Sequence, residues 1–456
     1  MRRRQFLKGT ASAAAALGLP SIVSSRVLGR TAPSDRINVA LIGCGNQSRI
    51  DLPAFLNNDD VQVVAVCDVN TGSYGYNDPK YFLGREPALK QVNQFYADKT
   101  KSGKYDGCKA YANSLDIMLT RPDIDVVAVV VPDHWHAELT GMAVSNGKDV
   151  YCEKPMTLTV DQGKWMIKGV RKHKRILQTG SHWRSGPAVR HACELVRNGR
   201  IGQLQRIQVY LPKNNFVGPG PGWQPMPVPE GFDYGTWLGP APLAPYHKDR
   251  CLYRFRFILD YSGGQVTNFG AHYFDIAQWG HGSDTTGPVE FEDTGAEFPE
   301  TGSLFTTATK VAFRARYADG VELICQTSEK QGGTRFEGTE GWVHVDSKGV
   351  RTSPESLATS EIGPNEIQLP RSNPKRTDSK YSNYLPDHVA NFLASVKSRQ
   401  DPIEPVEVGH RTASICHLGN IAMQVKRKIR WDPEAEQIVG DDEANRMLSR
   451  PARMRC

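Results

Sequence analysis

Three short stretches hold residue types whose spacing could do chemistry: Glu153-Lys154-Pro155, Asn268 with His272 and Asp275, and LIGCGNQS around Gly43. A lysine that directly follows a short apolar run can hold a developing alkoxide or polarise a carbonyl, and neighbouring charge lowers its pKa. Histidine is the natural base for taking a hydroxyl proton while hydride leaves the same carbon. If the chain is helical from about Gly270, then Asn268, His272 and Asp275 share one face. Gly43 permits a tight turn and Gly45 lets the backbone approach a pyrophosphate at a helix N-terminus, with Ser48 where a dinucleotide fingerprint has its third glycine. Asp68 closes the next apolar run 25 residues after Gly43. A carboxylate there accepts from a ribose diol and repels a 2′-phosphate, which points to NAD rather than NADP. Each stretch also has a plainer reading: a buried turn, a solvated Glu-Lys pair, a structural histidine among aromatics.

These groups need elements to position them. INVALI (37–42), VQVVAVC (61–67), VVAVVV (126–131), DVYC (149–152) and ILQT (176–179) are β-branched runs of the kind covered on both faces. SLDIMLTR (114–121) and HAELTGMAVSNGK (136–148) have helical spacing between them, so strands and helices alternate and a parallel sheet follows. Residues 71–107 break the rhythm, weakly helical only around 86–97, and read as a surface excursion rather than a flap over the cofactor. After about residue 200 the pattern changes: 202–212 and 307–329 alternate apolar with polar, as half-solvated antiparallel strands do, with a hairpin at Asp319-Gly320. Residues 341–345 add a strand, and 213–250, rich in Pro and Gly but carrying Trp223, Trp237 and Tyr246, read as an ordered loop. The divisions expected are a leader over 1–30, a nucleotide-binding domain over 36–180, a second α/β domain over 181–430 and a tail over 431–456.

Charge narrows the function class. The net +7 comes largely from residues 1–30, which hold six of the 56 Lys and Arg and no acid. The remainder carries fifty basic against forty-nine acidic side chains, with no clustered basic surface for nucleic acid. Nine cysteines stand singly without a C-x-x-C pair, so buried free thiols are expected rather than a disulfide framework. The leader MRRRQFLKGTASAAAALGLP has the look of a twin-arginine export signal, with Arg3 and Arg4 as the pair and an apolar run too short to span a bilayer. That route carries folded proteins, and the expected destination is the periplasm.

Taken together, GCGNQS, PDHWHAELTGMAVSNGKDVYCEKP, GSHWRS with VRNGRIG, and the GG…N-x-G-x-H-x-x-D segment resemble the Gfo/Idh/MocA family of nicotinamide-dependent oxidoreductases, almost end to end. The resemblance implies a Rossmann domain followed by an α/β domain whose large open, mostly antiparallel sheet supports homo-oligomer contacts. It makes Lys154 the catalytic lysine and His272 the catalytic base. Asn268 stands where the family commonly has Asp, and an amide orients by hydrogen bonds without holding a positive charge. With the resemblance, Gly43, Gly45, Asn46, Gln47, Ser48, Asp68, Pro132, His136, Glu153 and Lys154 are expected to lie about the NAD, and export of an already folded protein implies that the NAD is tightly held. Trp183, Arg184 and Asp275 are candidates for substrate contact, Trp183 and Arg184 having domain packing as the alternative. His134-x-His136 with His182 could suggest metal ligands, but Asp133-His134-Trp135-His136 coincides with a segment that in the family lines cofactor and substrate space, so no metal site is expected.

Three functions are then open. The first is hydride transfer between a retained nicotinamide cofactor and a secondary alcohol of a sugar, glycoside or cyclitol. The second is a glycoside hydrolase that works through a transient 3-keto sugar and restores its NAD. The third is a silent NAD-containing sugar-binding protein, which only Asn268 favours.

Overall fold

The computed structural model describes residues 36–101, 103–373 and 384–453. The leader, with Arg3 and Arg4, lies outside the described residues. Six strands form one parallel sheet: β1 (Ile37–Ile42), β2 (Val61–Cys67), β3 (Lys109–Tyr111), β4 (Val126–Val129), β5 (Asp149–Cys152) and β6 (Leu177–Thr179), ordered β3-β2-β1-β4-β5-β6. Helices α1 (Ser48–Leu56), α2 (Arg85–Thr100), α3 (Ser114–Thr120), α4 (His136–Ser145) and α5 (Val160–Lys172) connect them. Apolar residues on both sides of β1, β4 and β5 are buried, because helices cover both faces. Side chains set the helix starts: Asn113 accepts the Leu115 N–H and Thr159 that of Gln162. The Rossmann architecture and the order reversal between β1 and β4 place a ligand crevice at the carboxyl ends of these two strands.

The second unit begins with α6 (Pro187–Arg197) and β7 (Leu204–Leu211), then α7 (Tyr234–Leu238), α8 (Gln265–Asn268) and α9 (Gly270–His281). Strands β8 (Glu290–Asp293), β9 (Ala312–Arg316), β10 (Glu322–Thr327), β11 (Gly333–Gly338), β12 (Trp342–Asp346) and β13 (Gly349–Ser353) follow. The chain closes with α10 (Leu385–Ser398), α11 (Val406–Val425), β14 (Ile429–Asp432), β15 (Gln437–Ile438) and α12 (Asp442–Arg446). The nine strands order as β13-β12-β11-β7-β10-β9-β8-β14-β15, antiparallel except for β7 against β10. The β9–β10 hairpin turns at Asp319-Gly320, where the Gly320 N–H donates to Tyr317.

Two features differ from a contiguous division of the chain. Helix α10 returns to the first unit, where Leu385, Val389, Phe392 and Leu393 pack with Phe55 and Tyr151. The tail is integral to the second core through Trp431, Ile438, Ala444 and Leu448. Helix α11 joins both cores, with Val406 in the first and Ile415 to Met423 in the second. The eight described cysteines are all buried and free. No helix among the described residues is long and apolar enough to cross a membrane.

Candidate active site

The site starts at the end of β1. Gly43 takes φ +94°, and a Cβ there would stand 2.1 Å from the Val130 carbonyl oxygen, so both backbone conformation and space demand glycine. A Cβ on Gly45 would meet the Tyr76 ring at 2.9 Å. Asp68, at the end of β2, faces this turn; its carboxylate accepts the Cys44 N–H at 2.6 Å and the Asn70 N–H at 2.8 Å. Burial raises its pKa against those two hydrogen bonds.

A cavity of about 330 Å³ runs from this turn to the second unit. One end is lined by Gly43, Gly45, Asn46, Gln47, Asp68 and Pro132, the other by Glu153, Lys154, Asn268 and His272. Lys154 leaves β5 and reaches across the two units, donating to the main-chain oxygen of Asn268 at 2.8 Å and to its side-chain oxygen at 3.4 Å. Burial lowers the Lys154 pKa and Arg256 adds to this, while Glu153 and Asp133 oppose it. Glu153 is raised by its own burial, with Lys154 pulling the other way. The His272 pKa is held well below the usual value by burial, then by Lys154, His182 and His388. His272 is therefore a neutral imidazole at neutral pH, able to accept a proton.

Five of the sequence candidates stand elsewhere. Ser48 donates to the Gly45 carbonyl at 2.7 Å and tightens the turn from behind. His136 places Nδ1 2.6 Å from the Pro155 oxygen and Nε2 2.9 Å from that of Val131, tying the Glu153–Pro155 turn to the end of β4 instead of lining the cavity. Asp275 and Arg184, expected at the substrate, form a buried ion pair: Arg184 Nε lies 3.0 and 3.1 Å from the Asp275 oxygens, and both Nη atoms bond Asp284 at 2.9 Å. The pair is 2% and 1% exposed, and those bonds occupy the guanidinium edge a sugar would need. Arg184 thereby ties the turn after β6 to α9. Trp183 also lies off the cavity, its indole stacked on His272 with centroids 5.7 Å apart and planes at 20°. Asn268 ends α8 rather than sharing α9 with His272.

Other lining residues stand outside the candidate set. Tyr76 comes from the 71–107 stretch, so part of that segment is a wall of the cavity and not a mere surface excursion; its hydroxyl accepts from Asn70 Nδ2 at 3.1 Å. Asp133 takes a hydrogen bond from Ser262 at 2.5 Å. Arg256 brings a second cation to the Lys154 end, and Trp237, Tyr253, Phe255 and Phe269 give an aromatic wall. No group of three or more His, Cys, Asp or Glu among the described residues is arranged to hold a metal ion.

Residues 37–181 match the model described as "Oxidoreductase family, NAD-binding Rossmann fold", and residues 204–456 match "Oxidoreductase family, C-terminal alpha/beta domain". The chain belongs to the Gfo/Idh/MocA family. Among Gfo/Idh/MocA relatives and other similar proteins, the chain is 28% identical over 172 residues to the D-glucoside 3-dehydrogenase of Escherichia coli K12, covering 38% of this chain and 42% of that protein. It is 27% identical over 225 residues to a glycosyl hydrolase family 109 protein of Shewanella pealeana, covering 45% and 44%. The chain spans about half the length of the curated relatives it matches. The aldose-aldose oxidoreductase of Caulobacter crescentus, solved with glycerol, shares the fold at TM-score 0.56 and 19% identity, over 87% of this chain and 99% of that one. The WlbA dehydrogenase of Bordetella pertussis, solved with NADH and UDP-GlcNAcA, does so at 0.57 and 16%, over 87% and 99%. The cavity of this Gfo/Idh/MocA chain fits a dinucleotide: a turn whose Gly43 and Gly45 leave no room for a Cβ, a buried Asn46 Oδ1 with no hydrogen-bond partner among the described residues, and a carboxylate at the end of β2.

Proposed function

We propose that this protein is an NAD-dependent oxidoreductase that moves hydride between a retained nicotinamide cofactor and a secondary alcohol of a sugar, glycoside or cyclitol. The observation that carries the reading is the meeting of Lys154, Asn268 and His272 at one end of a cavity whose other end is the Gly43–Gly45 turn and Asp68. Gly43, Gly45, Asn46, Asp68 and Tyr76 would hold NAD, which when bound supplies the hydride acceptor. Asp68 favours a free ribose diol over a 2′-phosphate, hence NAD over NADP.

The chain's own residues do the rest. Neutral His272 accepts the hydroxyl proton, and the Lys154 ammonium donates to the oxygen that gains negative charge. Asn268 fixes the ammonium through its main-chain oxygen. The aromatic wall of Trp237, Tyr253, Phe255 and Phe269 suits the apolar faces of a sugar ring and excludes water. A second reading, supported by the likeness to glycosyl hydrolase family 109 proteins, has the same groups oxidise a glycoside transiently, eliminate its leaving group and return the hydride. A silent sugar-binding protein would not need both Lys154 and His272 at the cavity.

The twin-arginine leader fits this chemistry: a nucleotide inserted in the cytoplasm travels inside a folded protein and is then held in the periplasm. The second unit's large sheet is the surface through which copies of the chain would associate. The test is to denature the purified protein and identify released nucleotide, then to add glycosides to the native form. Stoichiometric NAD with a substrate-dependent rise in NADH fluorescence is expected. Release of free aglycone without net NADH selects the hydrolase, and a protein that holds and binds no NAD sinks both.

A further inference from the structure

We infer that His182 is a positioning residue for His272: its Nδ1 lone pair receives the Nδ1–H of His272 and sets the tautomer of the base. The inference rests on the proposed role of His272 as base. His182 opens the 3-10 turn His182–Ser185 after β6, and its ring meets that of His272 edge to face, centroids 5.0 Å apart and planes at 70°. Nδ1 of each ring is buried and has no hydrogen-bond partner among the described residues, an uncommon condition for two rings in contact.

The tautomers are complementary. To accept a hydroxyl proton from the cavity, His272 must present an unprotonated nitrogen there, which leaves its proton on Nδ1. With its own proton on Nε2, His182 leaves Nδ1, buried and without a partner among the described residues, as an acceptor. His182 Nδ1 is then available to the His272 donor, and a centroid separation of 5.0 Å is one that two hydrogen-bonded imidazole rings can span.

Among the described residues that act on His272, no other offers this acceptor. The groups acting on His272 are Lys154 from the turn after β5, His182 and Trp183 from the 3-10 turn, and His388 from α10. Lys154 only donates. His388 has both ring nitrogens committed, to Ser185 Oγ at 2.7 Å and to the Thr179 oxygen at 2.8 Å. Asp275, one turn along α9, is taken by Arg184. When the substrate O–H breaks, its proton forms an N–H bond on the cavity side of His272, and the Nδ1 proton remains in the bond to His182.

The test uses the full chain loaded with NAD and labelled with ¹⁵N-histidine, the His272 signal being assigned by its loss in His272→Gln. The expected wild-type tautomer of His272 carries its proton on Nδ1, and His182→Phe loses that preference. Turnover of a substrate glycoside by His182→Phe should fall by about tenfold or more with KM within about twofold. His182→Gln, which keeps an acceptor, should recover part of the loss. A wild-type His272 protonated on Nε2, or a Phe variant with unchanged tautomer and kcat, overturns the inference. Should the Phe variant not fold, the wild-type tautomer decides alone. If no glycoside reduces the cofactor, the proposed reaction fails while the tautomer still tests His182.

Discussion

Lys154 donates to Asn268 twice over, to the main-chain oxygen at 2.8 Å and to the side-chain oxygen at 3.4 Å, and the shorter bond does not depend on what side chain stands at 268. The position of the ammonium is thus set by backbone, and the amide leaves the site's electrostatics to burial. A carboxylate at 268 would change the charge without moving the lysine.

Asn268→Asp should therefore raise the pKa of both Lys154 and His272, which burial now lowers. Because His272 must be neutral to act, a higher pKa moves the acid limb of kcat/KM upward, by about one unit. Asn268→Ala, which keeps the main-chain bond, should cost less than about tenfold. A pH–rate profile that does not move for the Asp variant would sink the argument.

Gly45→Ala puts a methyl against the Tyr76 ring, where a Cβ already measures 2.9 Å. NAD affinity should weaken by about tenfold, or ~1.4 kcal/mol. Adding Tyr76→Ala to that variant should return part of the affinity by removing the obstacle, even though Tyr76 itself lines the cavity. Titration calorimetry with NAD reads both.

Removing one half of a buried ion pair strands the other. Arg184→Met leaves Asp275 and Asp284 facing each other, and should lower stability by about 3–5 kcal/mol in urea unfolding. If Arg184 instead held substrate, the change would raise KM and leave the urea midpoint in place.

His417 lies buried away from the cavity, with its pKa lowered to about 3 by burial. Unfolded, it titrates near 6.5, so the stability gained from keeping it neutral is complete above that pH and is lost as pH falls toward 3. Buried acids such as Asp51 and Glu404 are raised and act in the opposite sense, so the informative quantity is a difference. The stability cost of His417→Gln should shrink between pH 6 and pH 4 by about 1.4 kcal/mol per pH unit. A cost that is constant with pH would mean His417 is protonated in the folded protein.

Much of this architecture is written locally. The β-branched runs of the parallel sheet and the Asp319-Gly320 hairpin declare themselves because each depends on a handful of adjacent residues. Gly43 and Asp68 are legible from turn and strand-end chemistry, whereas Lys154 and His272 are singled out by the family resemblance of the segments that hold them. The Arg184–Asp275 pair was opaque for the opposite reason: 91 positions separate its members, and nothing in either neighbourhood announces the other. Tyr76 and Arg256 come from segments without periodicity, so their place on the cavity wall follows from how the loops close. Helix α10 has ordinary amphipathic spacing, which says that one side is buried but not against which unit.

The path of the backbone through α10 and α11 means that this is not a tandem of two exchangeable modules. A fragment ending near residue 181 would contain all six strands of the parallel sheet yet lack Leu385, Val389, Phe392 and Leu393, leaving Phe55 and Tyr151 without their cover. Such a fragment should aggregate. Helix α11, about 30 Å long at 1.5 Å per residue, has its hydrophobic side divided between both cores, so neither can melt without stripping the other. Calorimetry of the whole chain should show one endotherm, and a graft of this nucleotide-binding half onto another partner would have to bring residues 385–425 with it.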